Sequence, residues 1–434
     1  MADQEPKSKS VQDVYEENPR GFAAKVAQAG GNGAFSRLYR GGKTDVRRLK
    51  FASEERIKEH RDDLGTDALL AQLEQARAEN ERLSDVYHQI ESTFSVVNTW
   101  EPVKPATLPK PSSADEHVAF FLLSDSQIGS NVIKHRTGGI ESFNRDIFDV
   151  RVERYKDAVT SIFPHNLCKS FPVRKACVFL AGDIIEGEGI YPLQEANLDL
   201  LLMQQIMHAI KKYGEILLHL CRLFPDGVSV YCVYGNHGRA RSLTINFDLM
   251  CYLMLQQILG DQPNIDFFIS GCSYLICSLA PDIIDIDTPD KDWPEHIYGL
   301  IHGNQIKRYM DTPAYGFNRA VRRFQDMASL TLDSMFAGHH HQRATGYDGK
   351  WYINGSWVGG TDYSTEWLQA ASQPCQLSWV WHPQWGLAYE IPIFLDEKPR
   401  LTRDQRGLYS DTIDGQPLAD LTVQAREARE RDGR

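Results

Sequence analysis

The stretch VYCVYGNHGRARS, residues Val230 to Ser242, decides the fold of this chain. An apolar run of strand-forming residues stops at Gly235, and Asn236 and His237 follow at once. Apolar runs without alternation are typical of strands that are buried on both faces. A strand end holds its side chains rigidly, which suits groups that bind a ligand or take part in catalysis. The stretch therefore predicts a buried strand that delivers an amide and an imidazole to a functional site.

Four other apolar runs have the same form: HVAFFLLSD (117–125), KACVFLAGD (175–183), IYGLIHGN (297–304) and SMFAGHHH (334–341). Longer segments with helical patterning lie between the runs, as at residues 151–163 and 193–224. Strands that alternate with helices predict an α/β fold with helices on the outside.

Polar side chains follow every one of the five runs. They are Asp125, Gln127, Asp183, Glu186, Asn236, His237, His302, His339, His340 and His341. In open α/β sheets, ligands bind at the carboxyl ends of the strands, so these side chains are expected to meet at one site. Carboxylate and imidazole donors suit Mn, Fe or Zn better than a thiolate-selective metal. The donors are too many for one four-coordinate ion, but they would suffice for two ions about 3.5–4 Å apart.

The ordered set of motifs resembles the calcineurin-like metallophosphoesterase family, whose pattern is D-x-H, GD, GNH, H and GHxH. The resemblance covers roughly residues 117 to 396, and the SbcD-type nuclease branch and phage-encoded phosphoesterases are its candidate relatives. It implies a sandwich of two mixed β-sheets packed face to face, with helices outside. It also implies two divalent cations, for which we favour Mn, with Fe, Zn and Mg as alternatives.

The resemblance also implies a role for each matching residue. One metal would be held by Asp125, Gln127 and His341. The other would be held by Asn236, His302 and His339, with Asp183 bridging the two. His237 would bind no metal and would assist the leaving group, and His340 would point away. The implied reaction is attack on phosphorus by a metal-bridging hydroxide, with charge on the phosphate neutralised by the ions.

Two positions depart from the family pattern. Gln127 stands where the family usually has His, and an amide oxygen is a harder and weaker ligand than imidazole. Gly238 stands where an acidic residue often follows the GNH motif, so a carboxylate that orients His237 must come from elsewhere or be missing. Neither departure removes Asp183, and catalysis is therefore still expected.

The net charge of −11 argues against electrostatic binding of nucleic acid by the whole chain, but local segments are basic. The candidate phosphate-binding residues are Arg239, Arg241, Arg319, Arg322 and Arg323. Such arginines either grip a polyanionic backbone or pair with carboxylates of the chain. We favour a phosphodiesterase that acts on DNA. The alternatives are a phosphatase or nucleotide phosphodiesterase with a small substrate or phosphoprotein, and a non-catalytic nucleic-acid-binding protein with a degraded metal site.

The chain is expected to have five parts. They are a basic helical region at 1–65, a coiled-coil-like helix at 66–99, a Pro-rich linker at 100–116, the catalytic domain at 117–400 and a polar tail at 401–434. The first part is either a helix-turn-helix or a generic helical hairpin. In the second, apolar residues at steps of four and three form a heptad seam that includes Asn80 and predicts a homo-oligomer. The alternative is an amphipathic helix lying on the core.

The compartment is expected to be cytoplasmic. The eight cysteines are scattered and include no C-x-x-C pair, which suits reduced thiols. No apolar run reaches the roughly 20 residues that a membrane-spanning helix needs, so no membrane partner is expected.

Overall fold

The computed structural model describes residues 66–108, 117–134, 136–137, 141–191, 194–240, 245–279, 295–308, 312–366 and 371–396, with two short strands at 412–413 and 416–417. The predicted basic region at 1–65 and nearly all of the predicted tail at 401–434 lie outside these residues. The chain divides into two compact units at Leu83/Ser84. Of the first unit, only residues 66–83 are described, and they are helical. The second unit contains the sheets and every predicted metal ligand.

The helices are α1 (Thr66–Val97), α2 (Arg145–Thr160), α3 (Leu202–Leu223), α4 (Phe247–Ile258), α5 (Ala314–Ala328) and α6 (Asp362–Glu366). A π-helical turn, Ser161–Asn166, and a 3-10 turn, Leu167–Lys169, follow α2, and another 3-10 turn, Gln194–Asn197, precedes α3. Among the described helices, none has the length and apolar character needed to cross a bilayer.

The strands are β1 (His117–Leu123), β2 (Val173–Leu180), β3 (Gly227–Cys232), β4 (Ile265–Ile269), β5 (Tyr274–Leu279), β6 (His296–Ile301), β7 (Ser334–Ala337), β8 (Ala344–Gly346), β9 (Trp351–Ile353), β10 (Cys375–His382), β11 (Gly386–Phe394), β12 (Thr412–Ile413) and β13 (Gln416–Pro417). The first sheet has the order β11-β10-β1-β2-β3-β4, and the second has the order β5-β6-β7-β9-β8. β12 and β13 pair only with each other.

Both main sheets are mixed. In the first, β1 to β4 run parallel, while β10 and β11 add an antiparallel hairpin. In the second, β6, β7 and β9 run parallel, with β5 and β8 antiparallel at the edges. The prediction of two mixed sheets with flanking helices is confirmed.

Strand β1 shows why its sequence is apolar without a break from Val118 to Leu123. All seven of its residues are buried. Ala119, Phe121 and Leu123 belong to the core between the first sheet and the helices. Their neighbours Phe120 and Leu122 point the other way, into the layer between the two sheets. Because side chains alternate between the faces of a strand, a strand that is covered on both faces needs apolar residues at every position.

The segment after α1 lies against the rest of the second unit. The ring of Trp100 covers Gly214 of α3 so closely that a Cβ atom there would lie 2.3 Å from it. The N–H of Ala106 donates to the carbonyl of Arg222 at 2.7 Å, and that of Val103 donates to Gln262 Oε1 at 2.8 Å. Residues 101–108 of the predicted linker are therefore tied to the core by packing and by hydrogen bonds, and residues 109–116 lie outside the described part.

The last part of α1 presents two different faces. Ile90 packs against the core beneath the helices, and Thr93 and Val97 are buried. Tyr87 and Phe94 are exposed, by 63% and 36% respectively. This part of the helix therefore lies on the core through one stripe and leaves aromatic side chains in solvent.

The layer between the sheets is expected to carry much of the stability. Leu300→Ala removes a fully buried side chain from this layer and should lower the free energy of unfolding by about 2–5 kcal/mol. Leu253→Ala makes the same chemical change on α4, where the side chain is 50% exposed, and should cost under about 1 kcal/mol. Urea denaturation of both variants checks this, and equal losses would contradict the assignment of the layer as a packed core.

Candidate metal centre

The carboxyl ends of strands from both sheets meet at one place. The N–H of Asp125, after β1, donates to the carbonyl of Gly182, after β2, at 3.1 Å. In the other sheet, the N–H of Gly338 donates to the carbonyl of His302 at 2.8 Å. The Asp125 carboxylate accepts from the backbone N–H of His339 at 2.9 and 3.0 Å, and this contact joins the two sheets.

Asp183 lies at the middle of the site and is fully buried. Its Oδ1 accepts a hydrogen bond from the backbone N–H of His237 at 2.7 Å. Its Oδ2 lies 2.9 Å from His302 Nε2, an ion-pair contact that lacks the alignment of a good hydrogen bond. Asp183, His302 and His339 each offer a ligand atom within 4.8 Å of the other two. A buried carboxylate oxygen next to two imidazoles fits a metal cation.

The tautomer of His302 is fixed by its neighbours. Its Nδ1 lies 2.7 Å from the carbonyl of Ala181, which can only accept, so Nδ1 carries the hydrogen. Nε2 then faces Asp183 and the side-chain oxygen of Asn236, at 3.1 Å. Metal-ligating histidines are usually oriented in this way by a carbonyl behind the ring.

The charges of this group also fit a cation. Burial lowers the pKa of His302, but the Asp183 carboxylate outweighs it and raises the pKa to about 9. Burial and the charge of His302 lower the pKa of His339 to about 3, so that ring is neutral. Without a metal, a proton on His302 balances Asp183. A divalent cation would replace that proton, because a ligating imidazole must be deprotonated.

Asp125, Gln127 and His341 form a second group beside the first. Asp125 Oδ1 lies 3.4 Å from His341 Nε2, and Gln127 Nε2 lies 3.2 Å from the same ring nitrogen. Gln127 Nε2 also lies 3.5 Å from His237 Nε2. A half-turn of the amide would present Oε1, the atom that binds a cation, at this position. The donor set of one carboxylate, one imidazole and one amide oxygen fits a hard cation.

The backbone of the site is strained where the predicted ligands stand. Positive φ angles occur at eight described non-glycine residues, and five of them are predicted ligands: Asp125, Gln127, Asp183, His339 and His341. L-residues rarely adopt this region, and each instance costs of the order of 1–3 kcal/mol. Such strain persists where the surrounding structure forces side chains into a functional arrangement.

Two glycines of the motifs, Gly235 and Gly338, have a carboxylate directly against the backbone. A Cβ atom at Gly235 would lie 2.1 Å from Asp183 Oδ1, and one at Gly338 would lie 2.3 Å from Asp125 Oδ2. Both glycines let the backbone touch a carboxylate. Any side chain at either position would displace the carboxylate from the centre.

His237 is held from behind by Glu186. Its Nδ1 donates to the carbonyl oxygen of Glu186 at 3.0 Å and lies 3.3 Å from Oε2 of the same residue. Burial lowers the pKa of His237, but Glu186 and Asp183 outweigh it and raise the pKa to about 10. The carboxylate that Gly238 cannot provide is thus supplied from the loop after β2. The imidazole is protonated at neutral pH and directs Nε2 to the centre.

His340, between two predicted ligands, points elsewhere. It is buried, and its Nδ1 accepts from Arg308 Nε at 3.4 Å. Burial, followed by the charge of Arg308, lowers its pKa to about 4. Its ring centroid lies 5.8 Å from that of Phe317 on α5. His340 therefore connects the centre to α5.

Asp248 is a site residue that the sequence did not reveal. It is fully buried, and its Oδ2 accepts from the backbone N–H groups of Asp183 and Gly235, both at 2.9 Å. Its Oδ1 accepts from the N–H of Ile184 at 3.1 Å. Burial and the charge of Asp183 raise its pKa to about 6. In the sequence, an Asp in the first turn of a helix indicates no more than a favourable helix end.

Most of the candidate phosphate-binding residues lie on the surface. Arg239 is exposed and follows His237 closely, while Arg241 lies outside the described residues. Arg319, Arg322 and Arg323 are exposed on α5.

No family model matches the chain. A segment of 142 residues is 29% identical to the DNA polymerase II small subunit of Methanocaldococcus jannaschii, and the match covers 32% of this chain and 20% of that protein. The chain thus spans about a fifth of the length of this curated relative.

Two solved structures are similar over 64% and 63% of the chain and 99% of their own chains. One is Vps29 from Entamoeba histolytica complexed with Zn²⁺, with a TM-score of 0.27 and 11% identity. The other is an archaeal phosphodiesterase, with a TM-score of 0.26 and 13% identity. At such low TM-scores and identities, the fold is assigned from the topology of the two sheets. The chain resembles the calcineurin-like metallophosphoesterases in its two mixed sheets and in the order of motifs that meet at the strand ends.

Asp248→Asn should weaken Mn²⁺ binding about 10–100-fold, the usual effect of losing a group that orients a ligand. The amide keeps one acceptor oxygen but turns an NH₂ group toward backbone N–H donors. Isothermal titration calorimetry measures the affinity. Asp226→Asn is the matched control, because Asp226 pairs with Arg174 just before β3 begins, away from the centre. Equal affinities in both variants would contradict a role for Asp248 in positioning Asp183.

Proposed function

We propose that this protein is a divalent-metal-dependent phosphodiesterase that acts on DNA. The observation that carries the proposal is the buried Asp183 carboxylate, whose Oδ2 lies 2.9 Å from His302 Nε2 and which, with His302 and His339, offers ligand atoms within 4.8 Å of one another. Such an arrangement is costly in a structural core, because balancing the buried carboxylate requires a proton on the equally buried His302.

Asn236, His302 and His339 would hold one cation, and Asp125, Gln127 and His341 the other, with Asp183 between them. When bound, such ions lower the pKa of water and neutralise charge on a phosphoryl group. We favour Mn because the donors are oxygens and imidazoles. The Asp125 carboxylate would be ready to ligate at neutral pH: burial raises its pKa, but His341 and other nearby charges outweigh that effect and lower the pKa below its usual value.

His237 would act as the general acid. Glu186 holds the Nδ1 side of the ring, so the proton on Nε2 faces the centre. This proton would pass to the departing oxygen as water attacks phosphorus and the P–O bond to the leaving group breaks. A positioned general acid of this kind contributes about 10²–10⁴ in rate.

The arginines of α5 support a polyanionic substrate. Arg319, Arg322 and Arg323 are exposed, and none of them forms an ion pair with a carboxylate in the part of the chain that the structure describes. Phe317 on the same helix packs against His340, which stands between two predicted ligands. Unpaired arginines on a helix that contacts the centre are suited to hold backbone phosphates.

The similarity to a DNA polymerase subunit agrees with a nucleic-acid substrate, although it covers a third of this chain. The departure at Gln127 favours a second candidate, a nucleic-acid-binding protein without catalysis. A phosphatase or nucleotide phosphodiesterase with a small substrate is a third. The first and third candidates predict hydrolysis, and the second does not. The first and second predict that substrate binding depends on the arginines of α5, and the third does not.

Self-association through residues 66–99 is part of the proposal. Tyr87 and Phe94 are exposed on the last part of α1, whereas Ile90 packs against the core. Exposed aromatic side chains on a helix with a heptad pattern suit a contact with a second copy.

Two variants test the chemistry. Asp183→Asn should lose bound Mn²⁺ and essentially all hydrolysis of bis-p-nitrophenyl phosphate, because the bridging charge is gone. His237→Ala should keep Mn²⁺ but lose about 10²–10⁴ in rate. Metal content and rate are measured on the same samples. Near-wild-type hydrolysis in Asp183→Asn would refute the metal mechanism, and loss of metal from His237→Ala would make His237 a ligand.

A triple variant tests the substrate class. R319A/R322A/R323A should bind and cleave DNA more weakly, and the slope of log affinity against log salt should fall by about 0.9 for each phosphate that the protein no longer neutralises. Its hydrolysis of bis-p-nitrophenyl phosphate should be unchanged.

K104A/K169A/R222A is the matched control, because it removes three exposed positive charges elsewhere on the surface. Equal salt slopes in the two triple variants would refute the DNA-binding role of α5 and favour a small substrate.

A further inference from the structure

Tyr191 stands beside His237 with its ring in solvent. The two ring centroids are 6.0 Å apart, with the planes at 72°. Tyr191 is 44% exposed, although it lies close to a largely buried group of charges. An exposed aromatic ring at this position is accessible to a ligand that occupies the centre.

The hydroxyl of Tyr191 points inward. It donates a short hydrogen bond to Glu186 Oε1, and Glu186 is only 2% exposed. Gln194 Nε2 donates to the same oxygen at 2.9 Å. Burial and the Glu186 charge raise the pKa of Tyr191 well above its usual value, so the hydroxyl keeps its proton.

This orientation reverses the usual one. A tyrosine at a surface normally buries its ring and leaves its hydroxyl in water. Here the polar end is hydrogen-bonded to a buried carboxylate, although the residue as a whole is 44% exposed. The anchor also fixes the ring, so that a planar ligand could stack on it with little loss of conformational freedom.

We infer that Tyr191 is a platform for the base of the nucleoside that leaves when the phosphodiester bond is broken. The inference rests on the proposed function and adds the nature of the leaving group. His237 would donate its proton to the departing oxygen, so the leaving group must lie next to His237. The exposed ring beside His237 is Tyr191. Every base has a π face, and stacking on an aromatic side chain is worth about 1–3 kcal/mol per base.

The test uses the full-length protein with Mn²⁺ and three substrates. The first is a thymidine dinucleotide with one phosphodiester bond. The other two lack the base on one or the other sugar. For each enzyme, the ratio of kcat/KM with and without the base measures the preference for that base. A general loss of activity does not change this ratio, because it affects both substrates.

Wild-type protein should prefer the base on the leaving side by about 5–150-fold, which corresponds to the stacking energy. Tyr191→Leu should abolish this preference. Tyr191→Phe retains the ring but loses the bond to Glu186 that fixes it, so it should keep a preference that is smaller than that of the wild type. Tyr389→Leu is the matched control, because Tyr389 is 53% exposed on β11 and lies next to Phe171 instead of His237.

The platform alone would be overturned if the base preference persisted in Tyr191→Leu. It would also be overturned if wild-type protein cleaved all three substrates without any base preference. If wild-type protein with Mn²⁺ hydrolyses neither the dinucleotides nor bis-p-nitrophenyl phosphate, the proposed function fails, and the platform fails with it.

Discussion

The site depends on a cluster of buried carboxylates that the fold keeps out of water. Asp125, Asp183 and Asp248 are all fully buried. Burying an ion costs several kcal/mol unless hydrogen bonds or opposite charges compensate. Asp248 is compensated by backbone N–H groups and Asp125 in part by the N–H of His339. One oxygen of Asp183 accepts from the N–H of His237, and the other pairs with His302 at 2.9 Å.

Packing between the two sheets holds these buried carboxylates in place. Each of the two groups of predicted ligands combines residues from both sheets. The layer between the sheets is filled with large apolar side chains such as Phe120, Phe336 and Trp379. The contact between Asp125 and the N–H of His339 crosses between the sheets. The five predicted ligands with positive φ angles keep this backbone conformation because the packed strands on either side hold it in place.

The proposed function assigns chemistry and recognition to different parts of the molecule. The donors and His237 lie at buried strand ends, where geometry is fixed by the sheets. The exposed arginines lie on α5, which reaches the centre through Phe317 and His340. A chain with a net charge of −11 can therefore still present a local positive surface to a polyanion.

The sequence by itself determined which segments form the central strands and which polar side chains follow them. Asp125, Asp183, Asn236 and the histidines come after apolar runs, and a run that is buried on both faces must place the next residues at the sheet edge. These are local relations, and local patterning can reveal them. Only the tertiary structure decided how the donors are held. Asp248 binds the N–H of Asp183 from 65 residues away, and Glu186 reaches His237 across 51 residues.

The inward hydroxyl of Tyr191 and the docking of Trp100 on Gly214 are likewise properties of the folded chain. Each depends on the path that the chain takes between separate segments. A hydrogen bond between such segments leaves no periodic trace in the sequence, because neither partner alters the pattern of its own neighbours.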